Sequence, residues 1–484
     1  MIYRCPNSPA HSIHLKIIGT FFVVLLLATG VKAQTEHSKV RISVQTGAKV
    51  SIEIDLDKPT DSWSFINSYA GALGLGERVS DIRAQRSGIE LPVRKIASGE
   101  FRVEGLAEHL TYVVTILPLR PGDFAHVSWL TSDHGLLLLS DLLPEALLKQ
   151  SGASIKFDLP AGWRVGSVSD ASNNESYRID DLEKAAFLVA ADLRVVSKLV
   201  RDMPLKLVID GRWNVEDEEV LQAAGKVLDY YFELTRFKLL RPSAVLVSPL
   251  PPSDSTALWK AETRGSTVVL LMNPQAQIKN WSGQLGVIFA HEIFHFWVPN
   301  ALALSGDYDW FFEGFTLYTA LQAALDLKLI TFKEFLDTLS RVYDSYLSYS
   351  DDQTLLEASE RRWTSSTPII YDKGMLVAFL YDLTLRNESG GESTLAACYP
   401  SLLRAGVGKP ADANDVIIGL LGSSAATRNF SQTYIESRSR VELEKILPSF
   451  GLEVNSQGNR SQLKLSKELT ANQRKLWRSI GYRS

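Results

Sequence analysis

The feature that most constrains this chain is an H-E-x-x-H motif inside an apolar stretch, His291-Glu292-Ile293-Phe294-His295. On a helix, residues four apart share a face, so the two histidines can present their imidazole nitrogens to one metal ion. Glu292 is turned toward the water on that metal and can act as a general base. The motif therefore predicts a zinc site. The alternative is a core helix whose two histidines are hydrogen-bonded, although burying three such polar side chains without a metal is costly.

Two histidines are too few for a catalytic zinc, which usually takes three protein ligands and leaves a fourth position for water. The segment Trp310-Phe311-Phe312-Glu313-Gly314-Phe315-Thr316 offers a carboxylate. The separation from His295 (313 − 295 = 18 positions) leaves room for a helix end, a loop and the first turn of a second helix. We therefore predict Glu313 as the third ligand.

These two motifs, followed by Tyr371-Asp372-Lys373-Gly374, resemble those of the gluzincin metallopeptidases and most closely those of the glycyl aminopeptidase family. The aminopeptidase N and leukotriene hydrolase family shares the same order of motifs. The resemblance extends over about residues 40 to 455, and its specific motifs lie between residues 259 and 386. Glycyl aminopeptidases usually carry a PDZ domain after the helical region, and the residues after Val454 are too few to form one.

The resemblance implies roles for two further residues. It places Tyr371 where a phenol donates a hydrogen bond to the developing oxyanion, and the alternative is a core tyrosine near a helix start. It places Glu262 where the family's Gly-rich motif carries the carboxylate that holds the free α-amine of the substrate. Trp259 and Lys260 replace the two glycines of that motif, so Glu262 is either an amine-binding residue or a surface carboxylate.

Other polar residues have lesser roles in this interpretation. Asn300, and either Asp307 or Asp309, could receive the outer N–H of a ligand histidine. Three histidines of the N-terminal domain are expected on the surface or in loops, namely His109, His126 and His134.

The N-terminus has the form of a signal peptide, with basic residues, an apolar run from Ile17 to Thr29, and a small-residue cleavage site ending at Ala33. A retained signal anchor is the alternative, although the run is short for a membrane span. Cys5 lies inside the signal, which leaves Cys398 as the single thiol, and export without disulfides suits a bacterial envelope protein. We expect a periplasmic or secreted protein that contacts the membrane only through an uncleaved signal. A net charge of −4 argues against a nucleic-acid partner.

The pattern of the chain changes along its length, and it predicts a multidomain protein. After the signal peptide (1–33), residues 34–204 alternate apolar and polar positions, which predicts a β-sandwich-like N-terminal domain. Residues 205–405 combine strands with long helices, as in a thermolysin-like α+β catalytic domain. Residues 406–484 are expected to form a C-terminal helical region, whose basic end is a solvated tail or a terminal helix.

The expected activity is hydrolysis of peptide bonds by a zinc-activated water. Zn²⁺ on His291, His295 and Glu313 would lower the pKa of the water, Glu292 would transfer its proton to the leaving amine, and Tyr371 would stabilise the oxyanion. The sequence thus predicts an exported aminopeptidase that acts on peptides. The alternatives are an endopeptidase and a zinc-stabilised envelope protein that binds peptides without cleaving them. Retention of Glu292 argues against the non-catalytic alternative.

Overall fold

The computed structural model describes residues 37–483, apart from 119–122, 173, 253–256, 275–280, 351, 406–410 and 458–459. The predicted signal peptide, residues 1–33, lies outside the described residues. In the described part of the chain, no helix is long and apolar enough to span a bilayer.

The first part of the described chain is mostly β-structure. Its strands are β1 (Ser38–Gln45), β2 (Lys49–Ser64), β3 (Ser68–Tyr69), β4 (Ala72–Leu73), β5 (Val79–Arg86), β6 (Ile89–Leu91), β7 (Val93–Ala97), β8 (Glu100–Thr115), β9 (Trp129–Leu130), β10 (His134–Leu138), β11 (Ala153–Asp158), β12 (Arg164–Gly166), β13 (Ser176–Ile179) and β14 (Ala186–Ala190). The helices α1 (Leu139–Leu142) and α2 (Glu145–Leu148) follow β10. Strand β2 buries Val50, Ile52 and Ile54 completely and turns the residues between them outward, which is the period of two that the sequence shows.

Apart from β3 and β4, which pair with each other, these strands form two layers that pack face to face. The larger sheet has the order β13-β11-β1-β2-β8-β5-β6, with β7 also paired to β8, and the smaller one has the order β12-β14-β10-β9. Leu137 and Phe187 of the smaller sheet pack into the core of the larger one. The neighbouring residues Leu136 and Leu188 point the other way and pack on the next sheet of the chain. Both faces of β10 are therefore covered, and all five of its residues are buried.

That next sheet belongs to the part of the chain that carries the H-E-x-x-H motif. It has the order β15-β16-β17-β19-β18, from the strands β15 (Arg194–Val200), β16 (Met203–Ile209), β17 (Ser243–Pro249), β18 (Trp259–Arg264) and β19 (Thr267–Met272). Strands β16, β17 and β19 are parallel, whereas β18 runs antiparallel to β19 at the edge of the sheet. The domain boundaries remain predictions, and β15, which precedes residue 205, already belongs to this sheet.

Helices cover the other face of the five-stranded sheet. They are α3 (Asp217–Thr235), α4 (Trp281–Glu292), α5 (Thr316–Asp326), α6 (Phe332–Leu347), α7 (Leu355–Glu360) and α8 (Gly374–Ser389). Helix α4 carries the first two residues of the H-E-x-x-H motif and gives way to a 3₁₀ turn over Ile293–Phe296. The helices of Glu313 and Tyr371 each begin with a π-helical turn, Trp310–Phe315 before α5 and Ile369–Lys373 before α8.

The C-terminal region is mainly helical, with α9 (Tyr399–Ala405), α10 (Ala413–Leu421), α11 (Phe430–Tyr434), α12 (Leu443–Ile446) and α13 (Ala471–Ile480). Two strands pair across a short parallel bridge, β20 (Leu304–Ser305) with β21 (Ala411–Asp412), and β22 (Leu452–Gln457) and β23 (Arg460–Leu465) form a hairpin that the sequence analysis did not predict. The basic end of the chain is a helix whose Trp477 is fully buried, so it is not a solvated tail. The predicted fold class is confirmed: an N-terminal β-sandwich-like domain, a thermolysin-like α+β domain and a C-terminal helical region.

Candidate active site

The two histidines of the H-E-x-x-H motif meet the carboxylate of Glu313. His291 lies in the last turn of α4 and His295 in the 3₁₀ turn that continues it, and their Nε2 atoms are 3.2 Å apart. Oε2 of Glu313 lies 3.6 Å from each of these nitrogens. The three side chains offer ligand atoms that all lie within 4.8 Å of one another.

The contacts of His295 set its tautomer. Its Nδ1 lies 2.8 Å from the carbonyl oxygen of Val298, so this nitrogen carries the proton and Nε2 is left with a lone pair. The sequence analysis suggested Asn300, Asp307 or Asp309 for this role, and the structure gives it instead to a backbone carbonyl. Asn300 donates from Nδ2 to the carbonyl oxygen of His295 at 2.8 Å. Asp309 contacts an arginine, Arg362.

The two oxygens of Glu313 have different surroundings. Oε1 accepts a hydrogen bond of 2.6 Å from Arg362, whereas Oε2 is buried and has no hydrogen-bond partner among the described residues. Burial alone would raise the pKa of Glu313, but His295, His291 and Arg362 outweigh it and hold that pKa well below the ordinary value. The carboxylate therefore stays ionised and directs one oxygen at the two imidazoles.

This arrangement fits zinc. A tetrahedral zinc with bonds of about 2.0 Å to nitrogen keeps two ligand nitrogens about 3.3 Å apart, close to the separation of the two Nε2 atoms. Two neutral imidazoles and one carboxylate are a donor set that catalytic zinc uses. A buried carboxylate oxygen without a partner is also unfavourable unless a cation binds it. His291, His295 and Glu313 are thus the residues that would hold the metal.

Glu292 lies beside this cluster and is oriented by a residue that the sequence analysis missed. Thr263 of β18 donates a hydrogen bond of 2.7 Å to Oε2 of Glu292, and its hydroxyl also lies 2.8 Å from the backbone carbonyl of the same residue. Only 6% of Glu292 is exposed. The edge strand of the sheet therefore positions the expected general base, and the stretch that contains Thr263 attracted attention in the sequence only because of Glu262.

Tyr371 reaches the same cluster from the π-helical turn before α8. Its hydroxyl accepts a hydrogen bond of 3.0 Å from Arg362, which also holds Glu313. Burial raises the pKa of Tyr371, and nearby Glu313 adds to this effect, so the phenol keeps its proton at neutral pH. A neutral, partly buried phenol next to the candidate metal ligands can donate a hydrogen bond to an oxyanion.

Arg362 joins several parts of the site and was not foreseen. Its guanidinium donates to Asp309 at 2.6 Å in addition to Glu313 and Tyr371, and it stacks 4.3 Å from the ring centre of Trp363. The planar guanidinium has several N–H donors and can therefore contact these three side chains at once. Arg362 stands in a polar segment, Arg361-Arg362-Trp363-Thr364, that carries no motif, so nothing in the local sequence indicated its role.

Glu262 is placed near the site but is already engaged. Its Oε1 accepts hydrogen bonds from the hydroxyl of Tyr69 at 2.7 Å and from Arg264 at 3.2 Å, and its Oε2 lies 2.9 Å from Nδ1 of His126. His126 lies in a loop, as expected, but it contacts the catalytic domain. His134, expected on the surface, is buried, with 6% of the residue exposed. It packs edge-on against Trp129, and the apolar strand around it could have indicated this burial.

Comparison with known proteins identifies the fold. Sequence comparison matches the chain to no family model and to no curated protein. Among solved structures, it is similar to an aminopeptidase N family protein from Idiomarina loihiensis, with 18% identity, a TM-score of 0.75, and coverage of 87% of this chain and 79% of that one. It is also similar to an M1 zinc metallopeptidase from Deinococcus radiodurans, with 14% identity, a TM-score of 0.54, and coverage of 84% and 95%. This chain therefore has the fold of the aminopeptidase N and M1 zinc metallopeptidase structures.

Proposed function

We propose that this protein is a zinc-dependent peptidase that hydrolyses peptide bonds with an activated water. The observation that carries this proposal is the convergence of His291, His295 and Glu313 on one point with Glu292 beside them. A variant of the Deinococcus radiodurans enzyme was solved with the peptide Tyr-Ser-Ala as substrate, which supports peptides as the substrate class.

Each residue of the site has its own role in the proposed reaction. Bound zinc would supply a water of lowered pKa and polarise the scissile carbonyl. Glu292, oriented by Thr263, accepts the proton of the attacking water and delivers it to the leaving amine. Tyr371 donates a hydrogen bond to the oxygen on which negative charge develops, while Arg362 fixes the positions of Tyr371 and Glu313. Edge strand β18 presents backbone groups with which an extended peptide can pair.

The motif resemblance suggests a finer assignment, an exported aminopeptidase of the glycyl aminopeptidase type, whereas the contacts of Glu262 argue against a requirement for a free α-amine. Export is supported by the signal-like N-terminus, and it predicts a mature protein that begins at Gln34. Intact-mass measurement of the protein from the culture medium or periplasm checks this. A mature protein that retains residues 1–33 would contradict cleavage. Aminopeptidase specificity depends on whether Glu262 receives the free α-amine of a substrate.

The test of peptidase action combines zinc stoichiometry with hydrolysis of a mixed library of short peptides. We expect one zinc per chain, and we expect Glu292→Gln to retain the metal and the fold while hydrolysis falls by at least about a thousandfold. Thr263→Val, which removes the hydroxyl that orients Glu292, should retain zinc. Its rate of hydrolysis should fall by less than that of Glu292→Gln. Full metal content without hydrolysis of any peptide by the unaltered protein would instead support the non-catalytic peptide-binding alternative.

A further inference from the structure

Four residues form a cluster, here called the Glu262 cluster, that consists of Tyr69, His126, Glu262 and Arg264. Tyr69 and His126 belong to the N-terminal domain, whereas Glu262 and Arg264 point from the same face of β18, since they are two positions apart. The carboxylate of Glu262 accepts three donors, and 14% of its side chain is exposed. The cluster thus connects the N-terminal domain to β18, and it is also a candidate surface for binding a substrate.

The Glu262 cluster borders the site of hydrolysis. Thr263, the next residue along β18, donates to Glu292. On the other side, the ring of Trp363 lies 6.4 Å from that of Tyr69 and 6.3 Å from that of His126, centre to centre. Trp363 in turn stacks on Arg362, which holds Glu313. An extended peptide that pairs with β18 and reaches Glu292 therefore passes along this cluster.

The charge of Glu262 is already balanced. Arg264 pairs with it, and only 4% of the Arg264 side chain is exposed. The guanidinium donates hydrogen bonds of 2.6 Å to Oγ of Ser140 and 2.8 Å to the carbonyl oxygen of Glu183. These contacts hold it in place beside Glu262. Arg362, on the other side of Trp363, is paired with Asp309 and Glu313 and does not enter this balance. The cluster thus offers a carboxylate oxygen as an acceptor but no net negative charge.

A free α-ammonium group and an amide N–H need different surroundings when they are buried beside the carboxylate of Glu262. A buried ammonium loses its hydration and needs an uncompensated anion within contact distance. An amide N–H is neutral and needs only one acceptor. The pKa of Glu262 is lowered, since His126, Arg264 and Tyr69 outweigh burial, which agrees with a carboxylate that remains ionised inside this network.

We infer that the substrate nitrogen that lies against Glu262 is a neutral amide, so that the protein cleaves peptides that are N-acylated or extended on the amino side in preference to peptides with a free α-amine there. This inference rests on the proposed peptidase function. A peptide with an acyl group on its N-terminus and a peptide with further residues there present the same amide N–H to Glu262. Comparing the cleavage of these two kinds of substrate distinguishes them.

The first experiment compares three forms of one short peptide with the zinc-loaded protein: free amine, N-acetylated, and extended by two residues on the amino side. We expect kcat/KM to be at least about tenfold higher for one or both amide forms than for the free amine. Preference for the acetylated form alone identifies blocked peptides as substrates, and preference for the extended form identifies endopeptidase action. A higher kcat/KM for the free-amine peptide overturns the inference and leaves the peptidase proposal intact.

The second experiment changes the charge balance. Arg264→Met should leave Glu262 with an unpaired charge and shift the ratio of free-amine to acetylated cleavage toward the free amine by about tenfold or more. Arg241→Met is the matched control, because Arg241 is largely exposed and should not alter the ratio. A folded Arg264→Met protein with the ratio of the unaltered protein would contradict the assigned role of Arg264.

A binding measurement avoids dependence on turnover and on the folding of Arg264→Met. Calorimetry with zinc-loaded Glu292→Gln should give tighter binding of the acetylated or extended peptide than of the free-amine peptide. Equal or tighter binding of the free-amine form overturns the inference. Absence of both binding and cleavage for every peptide overturns the peptidase proposal, and the inference with it, so the two failures are distinguishable.

Discussion

At the scale of single residues, Arg362 determines how Glu313 can bind a metal. One oxygen of Glu313 is occupied by the guanidinium, and the other faces His291 and His295. A carboxylate held in this way can bind the metal through one defined oxygen, and partners of ligand residues commonly tune metal affinity. The sequence predicted the ligands from their spacing but not this arginine, because 49 positions separate it from Glu313 and no local pattern marks it.

Arg362→Met should therefore weaken zinc binding by about ten- to a hundredfold, the usual scale for loss of a partner of a ligand residue. Arg362→Lys retains the positive charge but not the planar guanidinium. Its zinc affinity should therefore lie between those of Arg362→Met and the unaltered protein. Chelator competition on the purified proteins measures the affinity. Arg341→Met, a change in an exposed arginine of α6, serves as the control. Zinc affinity in Arg362→Met equal to that of the unaltered protein would show that Arg362 does not position Glu313.

Tyr371 can be tested by removing one oxygen atom. A phenol directed at the oxyanion stabilises the transition state more than the ground state, so Tyr371→Phe should lower kcat by about a hundred- to a thousandfold. Zinc content and thermal stability should stay close to those of the unaltered protein. If Tyr371 acts only as a core residue, the variant would instead lose about 1 kcal/mol of stability and little rate.

At the scale of elements, a contact between two glycines brings the Tyr371 helix against the Glu313 helix. A Cβ atom built on Gly314 would lie 2.5 Å from Cα of Gly374, and one built on Gly374 would lie 2.9 Å from Cα of Gly314. Backbones this close leave no room for a side chain. The sequence showed both glycines, next to Glu313 and three positions after Tyr371, but only the packed structure shows that they face each other.

Gly314→Ala should therefore push α8 away from the turn that carries Glu313. We expect a loss of about 1–3 kcal/mol in the free energy of unfolding, as for other overpacked sites, together with weaker zinc binding. Gly419→Ala is the matched control, because nothing lies within 4 Å of a Cβ there and a helical alanine is favoured over glycine. Denaturant unfolding of the two variants measures the difference. Equal stability of both would mean that the helices can separate without cost.

Element prediction succeeded where one periodicity dominates a segment. The alternation in β2 and the long helical stretch of α6 are examples, and α6 also begins with a Thr331–Glu334 capping box. The hairpin of β22 and β23 was missed because the alternation of apolar and polar residues is short in both strands, although Gly458-Asn459 is a turn signal in the sequence. Its position is fixed by tertiary contacts, including a hydrogen bond of 3.0 Å from the backbone N–H of Leu463 to Oγ of Ser340.

At the scale of the whole molecule, the N-terminal domain contributes directly to the edge of the candidate active site. Tyr69 and His126 contact Glu262 from 193 and 136 positions away in the sequence. No local pattern predicts a contact at such separations, which is why the sequence analysis treated Glu262 and His126 independently. The layered packing of β10 between two other sheets is what places these residues together.

Because Glu262 joins the two domains, its ionisation should affect the stability of the whole chain. Its pKa is 4.5 in its ordinary surroundings and lower in the folded protein, where burial is outweighed by His126, Arg264 and Tyr69. A lowered pKa means that the carboxylate stabilises the fold above about pH 4.5 and that this contribution is lost as the pH falls through the folded pKa.

Glu262→Gln should accordingly be less stable than the unaltered protein by about 1–3 kcal/mol at neutral pH, since it leaves buried Arg264 without its anion. The difference should narrow as the pH falls below about 4.5, because the unaltered protein then loses the same charge by protonation. Urea unfolding of both proteins from neutral to acid pH measures this difference, and comparison with Glu90→Gln, a change in an exposed carboxylate of β6, removes general effects of acid. A difference that stays constant over the whole pH range would mean that the ionised carboxylate does not hold the domains together and that the amide serves Tyr69, His126 and Arg264 equally well.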